Sequence, residues 1–468
     1  MSGRENQYAV FASDRWNASP KLTMTLGLRY EYYPIMSRAN RGLERLDYDT
    51  WEVLLGGIGS VPADVALKPS KTLFAPRVGA AYRLNDLTVF RAGYGITYNP
   101  LPWSRPLRGF YPLTIGFSEN ASGVFGSNFA SFPLASGIPE IALPDVSSGR
   151  IPLPRNVQTR TPVPDDVERG RTQQYNVTLE RLLPGDISVS LGYVGSRTDG
   201  GYADQNLNYA EAGGGDAGRR FFTQAGTANV LDWAARTKSR YNSMQMAINR
   251  PFKGGLLLKG AYTLSKAMNE TDEDGWATLL WSQPSQLSRN YALAGYDRTH
   301  NFQMGFLYEL PFAKQSRNPI AVVARDWQVN GIFSIYSGTP FRIGWQQHGA
   351  QSAGRSTDDR SDCSLAACRG CRSGRGLLRS RVIRGAGQQV GEHRTQPVPR
   401  TKPVEPGSRA VPWVPMGRYR LEFRASATNV LNHSRWGNPV TGFTDLNFMR
   451  IRSEGDPRNV QLGVRFEF

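Results

Sequence analysis

The strongest structural signal lies in the final nine residues, Val460-Gln461-Leu462-Gly463-Val464-Arg465-Phe466-Glu467-Phe468. Apolar side chains alternate here with polar or small ones, and this period of two predicts a β-strand with one apolar and one polar face. The strand ends on an aromatic residue. Lipid cannot hydrogen-bond to an unpaired backbone group, so the terminal strand of a barrel must pair along its whole length, and aromatic residues gather at the membrane interface. The pattern therefore favours the closing strand of an outer membrane β-barrel. We expect Phe466 and Phe468 to form the barrel closure and assembly signal.

Composition bounds the fold class. The chain has 468 residues, with 49 Gly, 20 Tyr, 21 Phe and 10 Trp and a mean hydropathy of −0.44. This length suits two or three globular domains or one large barrel. No run of about 18 apolar residues exists, so no transmembrane helix is predicted. Barrel strands are short and only half apolar, so a membrane protein is not excluded.

The formal charge of +17 is spread too widely to mark a nucleic-acid surface. Residues 351–415 hold 12 Lys and Arg against 5 Asp and Glu, and the rest of the excess follows no helix or compact sequence cluster. We therefore predict that nucleic acid is not a partner.

Strand patterns are joined alternately by short turns and long loops. Short turns at Asn17–Lys21, Leu84–Leu87, Leu183–Asp186 and Pro251–Gly255 alternate with long connections at 34–73, 99–172 and 197–238. Outer membrane barrels show this asymmetry because their periplasmic turns are short and their extracellular loops are long. The ten predicted strands are Asn6–Trp16, Leu22–Tyr32, Phe74–Arg83, Thr88–Tyr98, Gln173–Leu182, Ile187–Ser196, Tyr241–Arg250, Leu256–Lys266, Arg298–Leu310 and Trp327–Ser337.

Three further strands complete the count: one whose alternating pattern is lost, then Arg418–Asn429, and then the final strand. We predict an all-β fold, an antiparallel transmembrane β-barrel that is partial, with about 12–13 strands. The residues predicted to face lipid are Leu26, Leu28, Tyr30, Val177, Leu179, Phe306, Tyr308, Phe423, Leu462 and Val464. The charged residues predicted to face the lumen are Arg29, Glu31, Arg77, Arg91 and Lys266. Interior ion pairs are favoured for these charges over a substrate role.

Several stretches, in this order and spacing, resemble the C-terminal barrel of Oar-like TonB-dependent receptors. They are LGLRYEY at 26–32, AYTLSK at 261–266, YDRTH at 296–300 leading to YELP at 308–311, WQVNG at 327–331 with SGTP at 337–340, and LEFRA at 421–425 with NVLNH at 429–433. The resemblance covers nearly the whole chain except about 351–412. It implies a place in the cell outer membrane of a Gram-negative-type bacterium. It also implies energised transport of a bulky substrate past a plug that TonB pulls.

The same resemblance implies parts beyond this chain. Family members look like a signal peptide, a small β domain, a plug and a roughly 22-stranded barrel. We therefore expect the C-terminal barrel portion, without signal peptide, plug and first strands. The implied partners are outer membrane lipid, the barrel-assembly machinery and, only in a full-length form, the TonB system; the substrate stays open. The alternatives are a passive outer membrane pore, a surface adhesion scaffold or a non-functional gene remnant.

Residues 351–412 break the strand pattern and divide the chain into three parts. Barrel strands with long loops are predicted over 1–350, an irregular basic segment over 351–412, and the last strands over 413–468. The middle segment holds all three cysteines, Cys363, Cys368 and Cys371, whose spacing with His393 is poor for zinc. A native loop and a frameshift remain, and the frameshift is preferred because 404–415, read one base over, can encode an alternating strand.

No pattern predicts a catalytic, cofactor or metal site. Gly213–Gly218 lacks the Lys-Ser/Thr pair of a phosphate-binding loop and reads as a spacer. The acidic run of Glu270, Asp272, Glu273 and Asp274 lacks the spacing of a calcium loop. The four histidines are scattered, and neither a Ser-His-Asp nor a paired-carboxylate arrangement is suggested. We predict that the protein is not an enzyme and uses no cofactor.

Overall fold

The computed structural model describes most of the chain. The described residues are 3–38, 41–107, 110–115, 143–163, 167–211, 213–272, 278–312, 327–341, 400–402, 413–416, 419–442, 445–455 and 457–467. Within these ranges, no helix is long and apolar enough to span a bilayer.

Strands dominate the secondary structure. They are β1 (Gly3–Arg4), β2 (Tyr8–Ser19), β3 (Leu22–Tyr32), β4 (Ser37–Arg38), β5 (Glu44–Asp47), β6 (Glu52–Leu55), β7 (Leu73–Asn85), β8 (Thr88–Tyr98), β9 (Arg150–Pro152), β10 (Thr159–Pro162), β11 (Arg171–Leu183), β12 (Ile187–Asn206), β13 (Val230–Lys253), β14 (Leu256–Asn269), β15 (Ala292–Leu293), β16 (His300–Glu309), β17 (Gln328–Tyr336), β18 (Arg400–Lys402), β19 (Trp413–Met416), β20 (Tyr419–Thr428), β21 (Arg435–Trp436), β22 (Glu454–Gly455) and β23 (Asn459–Glu467). The helices are short: α1 (Ser104–Leu107), α2 (Phe222–Ala225) and a 3-10 helix over Pro284–Asn290.

Ten long strands form a wall in consecutive antiparallel order. They are β2, β3, β7, β8, β11, β12, β13, β14, β16 and β17. Each overlaps one of the ten strands predicted from the alternation, so the predicted all-β antiparallel fold and strand order are confirmed. The short β18 continues the wall beside β17, while β19, β20 and β23 form a separate sheet. Among the described strands, β2 pairs only with β3 and β23 pairs only with β20.

Two wall strands are longer than the sequence pattern predicts. β12 continues to Asn206 and β13 begins at Val230, so the prediction of a loop over 197–238 is wrong at both ends of that range, and the connection between the strands is 207–229. The alternation fades there because polypeptide covers both faces of these strands. Three successive residues, 202–204, are all buried.

The strand register gives the wall one apolar and one polar face. Directly opposed residues of antiparallel strands lie on the same face of a sheet. One row across nine strands consists of Leu22, Tyr82, Phe90, Leu179, Leu191, Met246, Tyr262, Phe302 and Ile335. The adjacent row on the other face consists of Thr23, Ala81, Arg91, Thr178, Gly192, Gln245, Thr263, Asn301 and Tyr336.

The apolar face carries large side chains that remain uncovered by protein. Leu179, Leu191 and Met246 are 43%, 47% and 43% exposed. Such a continuous apolar surface is unfavourable in water and fits hydrocarbon, so this face is the lipid side and the polar face lines the lumen. The wall residues predicted to face lipid all lie on the apolar face, and Phe423 opposes Val464 on the separate sheet.

Short turns and long loops lie at opposite ends of the wall, as the alternation predicts. The short turns join β2 to β3, β7 to β8, β11 to β12 and β13 to β14. In the last of these, Gly254 and Gly255 have φ of 62° and 80°. A two-residue type I′ hairpin needs positive φ at both positions, which glycine adopts most readily. The end with the long loops corresponds to the extracellular side.

Candidate functional site: a cap built from the extracellular loops

The long loops fold together into a packed assembly at the extracellular end. We call this assembly the cap; it comprises the described parts of 33–72, 99–170, 200–235 and 278–299. In the cap β6 pairs with β5 and β9, and β10 runs parallel to the extended part of β13. These pairings satisfy backbone groups that an irregular loop would leave to water.

Two apolar clusters form the core of the cap. The first consists of Met36, Leu43, Leu54, Val61, Val65, Leu67, Leu101, Val167, Tyr202 and Trp233. The second consists of Leu46, Val53, Leu55, Ile151, Leu153, Ala225 and Val230. Each fully buried large apolar side chain contributes about 1.5–3 kcal/mol. Because both clusters draw on several loops, the loops stabilise one another.

Asp204 is the electrostatic centre of the cap. Its Oδ1 accepts a hydrogen bond from Arg105 Nε at 3.0 Å, and its Oδ2 lies 2.6 Å from Arg160 Nη2. The three side chains are no more than 2% exposed. The Asp204 carbonyl also accepts a hydrogen bond from Leu279 N at 2.8 Å. One residue on β12 therefore connects α1, β10 and the loop that follows β14.

Aromatic rings accompany the buried guanidinium groups. The Cζ atom of Arg105 lies 5.9 Å from the ring centroid of Tyr202, and that of Arg160 lies 5.1 Å from Phe110. A guanidinium within about 6 Å of a ring centroid is attracted by the ring quadrupole. These contacts partly offset the cost of burying two cations beside one carboxylate.

Two buried asparagines fix the tip of the β12–β13 hairpin. Asn206 accepts hydrogen bonds from Asn208 N and Val230 N, at 3.1 and 3.2 Å, through Oδ1. Asn208 donates to the carbonyls of Gly226 and Ala228 at 3.0 and 2.8 Å. Buried polar groups that are hydrogen-bonded in this way hold a single loop conformation.

A small cleft of about 30 Å³ lies between α1, β5 and β10. Its lining includes Arg38, Arg45, Arg105 and Arg160. Each of these cations already has a protein partner: Arg38 binds Glu44 at 2.6 Å, Arg45 donates to a carbonyl at 2.7 Å, and the other two bind Asp204. The cleft is therefore part of the structural framework of the cap and is not an open binding site for an anion.

Burial shifts the pKa of several groups in the extramembrane region. Burial, together with a hydrogen bond involving Glu31, raises the pKa of Tyr33 to about 12. Burial likewise raises the pKa of Tyr48, whose ring stacks on Phe221. The pKa of Asp297 is raised by burial, even though Ala267 N donates to its Oδ1 at 2.7 Å. Burial therefore favours the neutral, protonated form of each of these three side chains.

Four of the five charges predicted to line the lumen lie on the polar face. Arg29 binds Glu31 at 2.5 Å, and Arg91 lies 3.6 Å from Glu180. Arg77 stands between Gly27 and Gly95 on the same face. The ion pairs agree with the wall-stiffening role favoured for these charges.

The prediction that Lys266 faces the lumen is wrong. Lys266 has the same strand parity as Leu264 and opposes Asn242, so it lies on the apolar side of the wall. Lys266 follows the alternation of β14 but lies beyond the apolar band, where a charge is tolerated on the lipid side. Position along the strand, and not only its face, decides where a cation fits.

The structure gives a position to one of the two residues proposed as the closure signal. Phe466 opposes Leu421 on β20 and is 52% exposed. It shares a strand face with Val464 and Leu462, which are also exposed. Phe468 lies outside the described residues, so the assembly role of this pair stays a prediction.

Other features named from the sequence fall partly outside the described residues. Asp272 accepts hydrogen bonds from Asn269 Nδ2 and Gly295 N, at 3.0 and 2.8 Å, whereas Glu273 and Asp274 lie outside. Cys363, Cys368, Cys371 and His393 lie outside as well. Among the described residues, no group of three or more His, Cys, Asp or Glu side chains is placed to hold a metal.

Sequence reasoning missed the residues that organise the cap. Arg105 and Asp204 are 99 positions apart, and neither belongs to a motif. A small signal existed: Asp204 is a charged residue just beyond the point where the alternation of β12 ends. Nothing in the sequence indicates its two arginine partners.

Comparison with known proteins places the chain in a family. Residues 1–461 match the family model described as "Outer membrane beta barrel domain". No curated protein matches the chain.

Similar solved structures include three outer membrane proteins. The ferripyoverdine receptor of Pseudomonas aeruginosa has 12% identity and a TM-score of 0.42, over 99% of this chain and 38% of that chain. The outer membrane transporter YddB from Escherichia coli has 9% identity and a TM-score of 0.48, over 98% and 45%. The FrpB iron transporter from Neisseria meningitidis has 11% identity and a TM-score of 0.43, over 99% and 45%.

This chain thus spans less than half the length of each of these proteins. Identities and TM-scores this low carry over neither a substrate nor a partner. The family match, in contrast, does show family membership, because it extends over residues 1–461 of the 468. This chain belongs to the outer membrane β-barrel domain family and resides in the cell outer membrane.

Proposed function

We propose that this chain is the C-terminal wall and cap of a TonB-dependent-receptor-like outer membrane transporter. In this proposal the polar face lines the lumen, and the cap forms the outer surface that a bulky substrate meets first. The signal peptide, the plug and the contact with TonB belong to other parts of a complete receptor. The proposal includes no catalytic step and names no substrate.

The cap is the observation that carries this proposal. Three of the four long loops share two apolar clusters, and the fourth contacts Asp204 through Leu279, so the extracellular surface has a fixed shape. Selective recognition needs groups held by packing and hydrogen bonds, and a passive pore has no such need. The motifs shared with Oar-like receptors, spaced along both the wall and the final strands, support the same class.

Expression of the full chain with an added signal peptide tests the proposal. Gel migration before and after heating reports whether a compact barrel forms, and a conductance trace in a planar membrane reports whether it conducts. Because the described wall is not closed on itself, we expect no discrete channel steps from this chain alone. A compact heat-modifiable band with discrete steps would contradict the receptor proposal and support a passive pore.

We also propose that the barrel-assembly machinery recognises Phe466 and Phe468. Phe466 is exposed on the outermost described strand of its sheet and lies among apolar neighbours. An exposed aromatic side chain at a strand end of this kind offers an apolar contact to a partner.

A further inference from the structure

A row of cations crosses the apolar side of the wall just below the cap. We call Arg171, Arg197, Lys238, Arg240 and Lys266 the cationic row. The register puts Arg171 and Lys238 on either side of Asp199, and it puts Arg197 opposite Arg240. Lys266 opposes Asn242, the next outward residue after Arg240. All five side chains are exposed, and they occupy four neighbouring strands, β11 to β14.

On β12 and β14 the cation lies beyond a tyrosine on the apolar side of the wall. On β12 the outward positions pass from Leu191 to Tyr193 and then to Arg197. On β14 they pass from Leu258 to Tyr262, then to Leu264 and finally to Lys266. Tyrosine rings settle at the level of lipid headgroups, and long cationic side chains reach further towards water. The cations therefore lie at the depth of the headgroup phosphates.

The tyrosines below the row form an ordered shelf. Tyr175 and Tyr193 stack with ring centroids 6.1 Å apart at an interplanar angle of 27°. The hydroxyl of Tyr193 donates to Asn242 Oδ1 at 2.6 Å. A flat aromatic shelf next to guanidinium groups suits a headgroup whose acyl chains continue down the apolar face.

The protein compensates only part of this positive charge, since Glu270 interacts electrostatically with Lys238 and Asp297 with Lys266, but neither forms an ion pair with it. Arg197 binds Asp199 at 2.8 Å, and Glu270 accepts a hydrogen bond from the backbone amide of Lys238. Among the described residues, no carboxylate lies within ion-pair distance of Arg171, Arg240 or Lys266. Like charges directly opposite on paired strands, such as Arg197 and Arg240, repel each other. An external anion would remove this repulsion.

We propose that the cationic row binds the phosphate groups of anionic lipid headgroups in the outer leaflet. Guanidinium groups take phosphate oxygens with paired, charge-assisted hydrogen bonds, and the lysine ammonium groups add point charges. The row lies on the lipid side and is continuous with the apolar face, so a lipid fits it better than a soluble anion. This site goes beyond the proposed transport function and does not depend on it.

Lipid binding by the full chain, folded in phosphatidylcholine nanodiscs, tests this site. The probe is diphosphorylated lipid A, compared with its dephosphorylated form. We expect the phosphorylated form to bind more tightly, and the variant Arg197→Gln/Arg240→Gln/Lys266→Gln to lose about a hundredfold in affinity. Inorganic phosphate alone should not displace the lipid, since it lacks the acyl chains.

The matched control removes the same charge from the other face. Arg15→Gln/Arg83→Gln/Lys259→Gln takes three exposed cations from the polar face, and its affinity should stay close to that of the unchanged chain. Equal losses in the two variants, or full displacement by inorganic phosphate, would overturn the lipid site. If the triple variant does not fold, the comparison of the two lipid A forms on the unchanged chain decides, and equal binding of both refutes the proposal.

Discussion

Asp204 and Arg105 form a wholly buried ion pair at 3.0 Å across 99 positions of chain. The substitution Asp204→Ala would leave Arg105 and Arg160 buried without their carboxylate. Removing one partner of a buried pair destabilises by about 3–5 kcal/mol. We expect the cap to open while the wall keeps its strands. Limited proteolysis of the folded protein, with fragment masses assigned to cap or wall, measures this.

Asp186→Ala is the control for that substitution. Asp186 binds Lys253 at 2.5 Å, but both side chains are more than half exposed at the opposite end of the wall. Exposed ion pairs contribute little because water and salt screen them. Equal sensitivity of the two variants to protease would contradict the central role of Asp204.

The two faces of the wall should respond differently to a charge. Leu191→Arg places a cation on the lipid face and should destabilise by about 2–4 kcal/mol near the membrane midplane. Ser190→Arg places the same cation on the lumen face opposite Glu180, where a change of much smaller size is expected. Equilibrium unfolding from lipid vesicles compares them, and similar losses would reverse or abolish the assigned orientation.

Alkaline pH should loosen the cap through Tyr33. Its pKa is raised to about 12 in the folded protein, so the unfolded chain loses this proton first. The stabilising contribution is therefore complete below the ordinary value of about 10 and is lost as pH rises through about 12. Protease protection of the cap against pH measures this loss. In Tyr33→Phe that part of the pH dependence should vanish, and an unchanged profile would exclude Tyr33 as its source.

The closure signal can be tested by assembly in cells. With a signal peptide added, Phe466→Ala/Phe468→Ala should lower the amount of chain recovered in the outer membrane fraction. Val460→Ala, at the other end of the same strand, is the matched control and should assemble normally. Equal recovery of the double variant and the control would remove the assembly role from the two aromatics.

The wall could be predicted from sequence because membrane strands obey a local rule. Lipid on one side and lumen on the other force a period of two, and Leu191 and Ser190 carry that period without reference to distant residues. The cap obeys no such rule. Trp233 and Met36 share a core cluster although nearly two hundred positions separate them, and their segments show no period.

The cationic row could not be predicted from the sequence for a related reason. In sequence its five members are scattered over 171–266, so the basic charge looked evenly spread. Only the register between β11 and β14 brings them to one height on one face. The three-part division at 351 and 412 stays a prediction, since most of the middle segment lies outside the described residues.

The extension of β12 and β13 into the cap makes the cap depend on the wall. Tyr202 and Trp233, which complete the first core cluster, belong to the same hairpin that crosses the bilayer. Asp204, the partner of Arg105, arrives with that hairpin. The earlier loops therefore cannot complete their core without that hairpin. A folded cap therefore requires an intact wall at this hairpin, because the same two strands supply the transmembrane segment and the buried core of the cap.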